Sequence, residues 1–211
     1  MVPLKHFYMI RHGETEANAA RIMAGSLDSP LTDNGRRQAR EAAGLISALS
    51  VRPTLIVHSP LSRARETASI INDQMGLPMV EEAEIAEWHV GDWEGQSYDL
   101  CLDLFKGSMD APNGETFNNF SERVRRAKNR ILKRSELSPL IVSHGGVFRA
   151  FGNIYGIPAP GVANCKLYEF EPYENETRFP WKVWTYEPIN RTPDGYASTP
   201  VRRSVDIFQL S

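Results

Sequence analysis

The run Leu140-Ile141-Val142-Ser143 restricts the fold of this chain more than any other segment. It is short, apolar from Leu140 to Val142 with two β-branched residues, and it leads straight into His144-Gly145-Gly146 and a helical pattern over Val147 to Tyr155. An apolar run of that length, bounded by turn residues, reads as a strand buried on both faces. Such strands belong to sheets with helices packed on either side. Two further segments repeat the arrangement. Leu4 to Ile10 is apolar and aromatic and ends at Arg11-His12-Gly13. Thr54 to His58 runs into Ser59-Pro60, read as an N-cap followed by proline at the first helical position.

The intervening segments are helical by spacing. Thr32 or Asp33 can cap a helix over Arg36 to Leu49, with Ala39, Ala42, Ala43, Ile46 and Leu49 on one side. Leu61 to Met75 places Ala64, Ala68 and Ile71 together, and a long helix is expected from about Thr116 to Arg134. A short edge strand is expected near Met79 to Ile85. Trp88 to Asn113 is irregular, with a short helical stretch around Tyr98 to Phe105. Alternating strands and helices predict an α/β fold, a three-layer α/β/α sandwich with a mostly parallel central sheet and right-handed crossovers. One domain over 1–211 is expected, with its core at about 4–170 and a terminal hairpin and tail at 171–211. In the hairpin, Tyr168, Phe170, Trp181, Trp184 and Tyr186 alternate as in two strands; Ile189 to Ser204 reads as a polar, draped tail.

Composition excludes several classes of function. A net charge of −2 gives no basic field for nucleic acid or an anionic membrane, so an anionic ligand has to be drawn by local arginines and histidines. No apolar run has the length of a membrane helix. The two cysteines, Cys101 and Cys165, lack metal-ligand spacing and read as reduced thiols. Lys5 and His6 interrupt the first apolar run, which does not suit a secretory signal. A cytoplasmic location is the expectation.

The three strands end at residues suited to phosphoryl chemistry, and open α/β sheets gather ligands at the carboxyl ends of their strands. Transfer of a phosphoryl group to a side chain needs an in-line nucleophile, fixed positive charge around the equatorial oxygens and a proton for the leaving group. A neutral imidazole can attack phosphorus when its other nitrogen donates to a fixed acceptor. His12 follows a strand, beside Arg11 and ahead of Gly13. Arg63 opens the helix after the second strand, and His144 follows the third. A guanidinium fork grips two phosphate oxygens at once. Donors of this kind can each contribute roughly 3 kcal/mol in the transition state. No acidic cluster with magnesium-ligand spacing accompanies them, so the cationic side chains would take the place of a metal, and no cofactor is expected. His6, His58 and His89 read as structural.

Taken together, these motifs resemble the histidine phosphatase superfamily, in its phosphoglycerate-mutase-like branch. Arg11-His12-Gly13-Glu14-Thr15, with Asn18 and Gly25 behind it, is similar to the family signature, and Asp28-Ser29-Pro30-Leu31-Thr32, Gly35 and Gln38-Ala39 continue it. Ser59-Pro60-Leu61-Ser62-Arg63-Ala64-Arg65-Glu66-Thr67-Ala68 is similar to the second motif, and Ser143-His144-Gly145-Gly146-Val147 to the last. The resemblance implies His12 as the phosphorylated nucleophile. It further implies Arg11, Arg63, His144 and Gly145 around the phosphoryl group, Asn18 assisting, and Glu87 as general acid and then base. From the residues alone, Glu81, Glu82, Glu84, Asp92 and Glu94 are equal candidates for the acid; the resemblance selects Glu87. Glu14 reads as structural support.

The resemblance leaves the reaction open. Mutases of this branch carry a long insertion with paired arginines after the acid motif, whereas Glu94 to Gly114 is short, with Lys106 as its only cation. They tend to have a tyrosine where this chain has Val90, a hydroxyl residue where it has Ala24, and asparagine where it has Gly146. These departures favour hydrolysis: a metal-independent phosphomonoesterase acting through phosphohistidine on a small phosphorylated metabolite. Phosphoglycerate mutase is the alternative, and a non-catalytic phosphate-binding module is a second. Trp88, Trp93, Tyr98 and Phe105 are candidate lining residues of the wall opposite the phosphate pocket. Among partners, the sequence leaves room for a homodimer formed through an edge strand or the tail.

Overall fold

The computed structural model describes residues 3–101, 110–134, 138–157, 161–173, 179–186 and 200–205. Among the described residues seven strands form one sheet: β1 (Phe7–Arg11), β2 (Leu55–His58), β3 (Met79–Glu81), β4 (Pro139–Ser143), β5 (Leu167–Pro172), β6 (Trp181–Tyr186) and β7 (Arg202–Val205), in the order β3-β2-β4-β1-β5-β6-β7. The half containing β3, β2, β4 and β1 is parallel. From β1 through β5 and β6 to β7 the pairing is antiparallel. Helices bounded within the described residues include α1 (Glu16–Ala19), α2 (Asp33–Ser47), α3 (Ser62–Asn72), α4 (Phe117–Arg134) and α5 (Gly145–Ile154).

The pleat of β1 shows why the sheet is covered on both faces. Side chains alternate along a strand. Phe7 and Met9 enter one core with Phe120, Val124 and Ala127 of α4 and Val147 and Phe151 of α5. Tyr8 and Ile10 enter the other with Ala42, Ala43 and Ile46 of α2 and Ala64, Ala68 and Ile71 of α3. The strand β4 is buried throughout, as an interior parallel strand must be. Each fully buried aliphatic side chain of this kind contributes about 1.5–3 kcal/mol.

Several sequence expectations shift. The first strand begins at Phe7 rather than Leu4, and the helix expected to reach Met75 ends at Asn72. Ser59 is not an N-cap. The helix α3 starts at Ser62, whose backbone N–H donates to the Asp28 carboxylate at 3.0 Å, so a distant loop caps it. The cap of α2 is Thr32, which accepts from the Gly35 N–H at 3.0 Å. The end of the tail is not draped: Arg202–Val205 pairs with β6 and widens the hairpin to three strands, with Arg202 bridging Glu169 and Glu171. Phe105, Lys106 and most of the expected tail lie outside the described residues. Among the described residues no helix is long and apolar enough to cross a membrane.

Parallel register brings three strand ends level. Arg11 lies opposite Ser143, and His58 opposite Val142. Beyond the ends, the His12 N–H donates to the Ser143 carbonyl at 2.9 Å and the Ser59 N–H to the Val142 carbonyl at 3.1 Å. The three loops expected to carry chemistry are therefore tied to one another at one edge of the sheet.

Candidate active site

The loop after β1 is fixed by close backbone approach. A Cβ on Gly13 would sit 2.5 Å from the Gly35 carbonyl oxygen, and one on Gly35 would sit 2.1 Å from the Glu14 carbonyl oxygen. Two glycines facing each other let the loop press onto the start of α2. The Gly13 N–H donates to Thr67 Oγ1 at 3.0 Å, and that hydroxyl donates to the Arg63 carbonyl at 2.7 Å. Asn164 Nδ2 holds the His12 carbonyl at 2.9 Å and Asn18 Oδ1 at 3.2 Å. Neither Thr67 nor Asn164 was singled out from the sequence, because their role exists only where three loops meet.

His12 is 3 % exposed. Its Nδ1 lies 2.7 Å from the Gly13 carbonyl, which can only accept, so Nδ1 carries the hydrogen and Nε2 keeps its lone pair. Burial, then Arg63 and Arg11, hold the His12 pKa well below 6.5 and the ring neutral. Arg11 and Arg63 remain cations although burial lowers both. Arg11 Nη1 donates to the Val162 carbonyl at 2.7 Å, while its buried Nε has no partner among the described residues. Arg63 is anchored by the loop before α2, donating to the Leu27 and Gly25 carbonyls at 2.7 Å each.

His144 is fully buried, its ring centroid 5.1 Å from that of His12. Its Nε2 lies 2.7 Å from Ser59 Oγ, and its Nδ1 has no partner among the described residues. Burial, Arg63 and His12 hold it neutral as well. Ser59, expected to cap a helix, thus serves this imidazole instead.

The Glu87 carboxylate accepts from the Trp88 N–H at 2.9 Å and from the Gly146 N–H at 3.1 Å. Of the competing carboxylates, Glu81 is exposed on β3 and the others are engaged elsewhere. Glu82 and Glu84 pair with Arg130 and Arg126, and Asp92 accepts from Asn113. Glu94 accepts from Ser26 and from the Val90 N–H. Glu14 accepts from Thr32 Oγ1 at 2.8 Å. Of the three expected structural histidines, His6 sits between Ser138 and Glu169, His58 contacts the Ser59 carbonyl, and His89 is exposed.

These groups meet in a cleft of about 310 Å³. Arg11, His12, Asn18, Arg63, Glu87 and Gly145 line it, as do Trp88 and Tyr98 of the expected aromatic wall. His144 stands beside the His12 ring and is not among the lining residues, and Trp93 is packed in the core. Asn18 Oδ1 is occupied by Thr15 and Asn164, so its Nδ2 is what it can offer a ligand. Arg149, one helical turn beyond Gly145, also lines the cleft and was missed in the sequence, where an arginine on a helix has no mark of its own. Among the described residues no group of three or more His, Cys, Asp or Glu is arranged to hold a metal ion.

Comparisons with known proteins place the chain in a family. The sequence profile of the histidine phosphatase superfamily (branch 1) matches residues 7–184. A probable phosphoglycerate mutase GpmB of Serratia proteamaculans is 34% identical over 191 residues, spanning 82% of this chain and 86% of the relative. Among solved structures, a mycobacterial glucosyl-3-phosphoglycerate phosphatase superposes with a TM-score of 0.72 at 25% identity, covering 85% of this chain and 97% of that one. The α-ribazole phosphatase of Shigella flexneri gives 0.68 at 30% identity, over 83% and 93% of the two chains. With the family profile matched over residues 7–184 and a relative 34% identical over most of both chains, the chain belongs to the histidine phosphatase superfamily (branch 1), a family of phosphatases and mutases.

Proposed function

We propose that the chain is a metal-independent phosphomonoester hydrolase that works through a phosphohistidine on His12 and acts on a small phosphorylated metabolite. The observation that carries this reading is the state of His12: buried, neutral, its Nδ1–H held by the Gly13 carbonyl and its Nε2 directed to a cleft that Arg11 and Arg63 line. In the first step the Nε2 lone pair forms a bond to phosphorus as the P–O bond to the alcohol breaks, and Glu87 gives its proton to the departing oxygen. Arg11, Arg63, Asn18 Nδ2, the Gly145 backbone and His144 Nδ1, which has no partner among the described residues, surround the phosphoryl oxygens. In the second step Glu87 takes a proton from water as its oxygen attacks phosphorus; the N–P bond breaks, and phosphate leaves with His12 neutral again. A cleft of about 310 Å³ is at the small end of the range for ligand sites, which suits a compact substrate.

The test is to quench the protein with a labelled phosphomonoester and locate acid-labile label. Label on His12 with release of phosphate is expected, both lost in a folded His12→Ala variant. Substrate binding without label or release would support a binding module instead. The relatives named as probable phosphoglycerate mutases favour a second reading, transfer within a sugar acid. Isomer exchange much faster than phosphate release, measured with phosphoglycerates, would establish that reading over hydrolysis.

A further inference from the structure

Helix α5 opens with two consecutive glycines, which cost a helix stability because glycine has the most backbone freedom to lose. Their surroundings differ. A Cβ on Gly145 would meet Arg11 Cζ and Nε at 3.9 Å, an ordinary contact. A Cβ on Gly146 would lie 2.2 Å from Glu87 Oε1, 3.1 Å from its Cδ and 3.2 Å from Phe120 Cε1. Only the second glycine is demanded by its neighbours, and the neighbour demanding it is the carboxylate of Glu87. Through the opening left there, Glu87 reaches one of the unpaired N–H groups of the first turn of α5, while the Trp88 N–H holds its other oxygen.

The main chain that presents this carboxylate is held from the other side. Arg123, on α4, donates through Nη2 to the Glu87 carbonyl at 2.9 Å, and through Nη1 to the carbonyls of Ala86 at 2.9 Å and Glu84 at 3.0 Å. Its own guanidinium is oriented by the Glu115 carboxylate, at 2.8 Å from Nε, and by the Phe120 ring beneath it. One side chain thus takes the carbonyl of Glu84, in the short 3-10 turn Ala83–Ile85, and those of Ala86 and Glu87 just beyond it. Arginine suits this because its planar fork offers several donors in fixed directions.

We infer that Gly146 and Arg123 are positioning residues for the proton carried by Glu87: Arg123 fixes the loop, and the missing side chain at Gly146 fixes where the carboxylate lies against α5. The inference rests on the proposed role of Glu87. A side chain at position 146 displaces the carboxylate by about 1 Å to restore van der Waals distance. A displacement of that size at a reacting group costs about a hundredfold in rate. The clash is with the end of a flexible side chain, so the fold itself has room to accept it.

The experiment compares single-turnover release of the alcohol from an alkyl phosphate and from p-nitrophenyl phosphate, the second needing little help from an acid. Gly146→Ala is expected to slow the alkyl ester about a hundredfold and the nitrophenyl ester less than tenfold, the split that Glu87→Gln also gives. Arg123→Met is expected to act in the same direction, and Arg123→Lys to recover part of the loss. Equal losses for both esters, or no loss for either in a folded Gly146→Ala variant, would overturn the inference. If the unaltered protein forms phosphohistidine from p-nitrophenyl phosphate and the split is absent, only the positioning idea fails. If it forms none from any ester, the proposed function itself fails.

Discussion

Replacing Ser59 by alanine removes one hydroxyl, and the structure allows the consequence to be worked out. Ser59 and His144 are both fully buried, and the 2.7 Å contact from Ser59 Oγ is the only hydrogen bond shown for the His144 ring among the described residues. The Leu61 N–H donates to Ser59 Oγ at 3.3 Å, which leaves the hydroxyl hydrogen for Nε2; the ring hydrogen then stands on Nδ1, the nitrogen left to serve a ligand. Without the hydroxyl, Nε2 becomes a buried polar atom with no partner, which costs about 1–3 kcal/mol of stability. At roughly 2–4 °C per kcal/mol for a chain of this size, the melting temperature should fall by several degrees. Catalysis should suffer more, because the imidazole no longer has one preferred tautomer. Outright removal of an oxyanion donor costs about 10²–10³ in rate, and a misdirected donor should cost about a tenth of that. The assay is the single-turnover rate of phosphohistidine formation, together with nitrogen NMR of the His144 ring. Ser59→Thr, which keeps the hydroxyl, should stay near the starting rate. A Ser59→Ala protein that transfers at full rate with hydrogen still on Nδ1 would refute the reasoning.

Three further outcomes are expected. His12 and His144 are held neutral with pKa values well below 6.5, chiefly by burial, whereas the unfolded chain protonates them near 6.5. Below that pH the unfolded state binds more protons, so their share of stability is present above 6.5 and is lost as pH falls toward the folded values. Thermal melts should show this slope between about pH 6.5 and 5, and it should shrink in His144→Gln. Lys128, on α4, is fully buried beside Met9 Sδ and over the rings of Phe7 and Phe151, and burial holds its pKa well below 10.5. The unfolded chain keeps that proton up to 10.5, so stability should rise with pH over this window; Lys128→Met should be more stable at pH 7, with the gap closing toward pH 10.5 in denaturant titrations. Gly35→Ala sets a Cβ 2.1 Å from a backbone oxygen that cannot swing away. It should destabilise by about 3 kcal/mol or more, as strain at a backbone contact does, and an unchanged unfolding midpoint would contradict the packing of the first loop on α2.

Period and punctuation made much of the architecture legible in the amino-acid order. The alternation of short apolar runs with helical spacing yields the parallel half of the sheet, and β4 is where Leu140 to Ser143 reads as buried. Local signals were weaker where a distant group satisfies the backbone. Ser59-Pro60 has the chemistry of a helix start, yet Asp28 caps α3 from another loop and Ser59 turns to His144. Arg202–Val205 carries no strand signature, and it becomes β7 because β6 offers it an open edge and Glu169 and Glu171 take Arg202.

Three strand ends bearing Arg11-His12, Arg63 and His144 are a property of the residue order, because parallel strands joined by helices must put those ends on one edge. The choice of Glu87 among the neighbouring carboxylates is different. In the fold, Glu82, Glu84, Asp92 and Glu94 are engaged by Arg130, Arg126, Asn113 and Ser26, while Glu87 lines the cleft. The same holds for Arg123, Asn164 and the glycine at 146, whose parts depend on atoms more than thirty residues away. Sequence determines which chemical groups are present and which end of the sheet they reach. Only tertiary packing decides which of them are neutral, which are already engaged and which face the cleft, since burial and hydrogen-bond partners are set by contacts between distant segments.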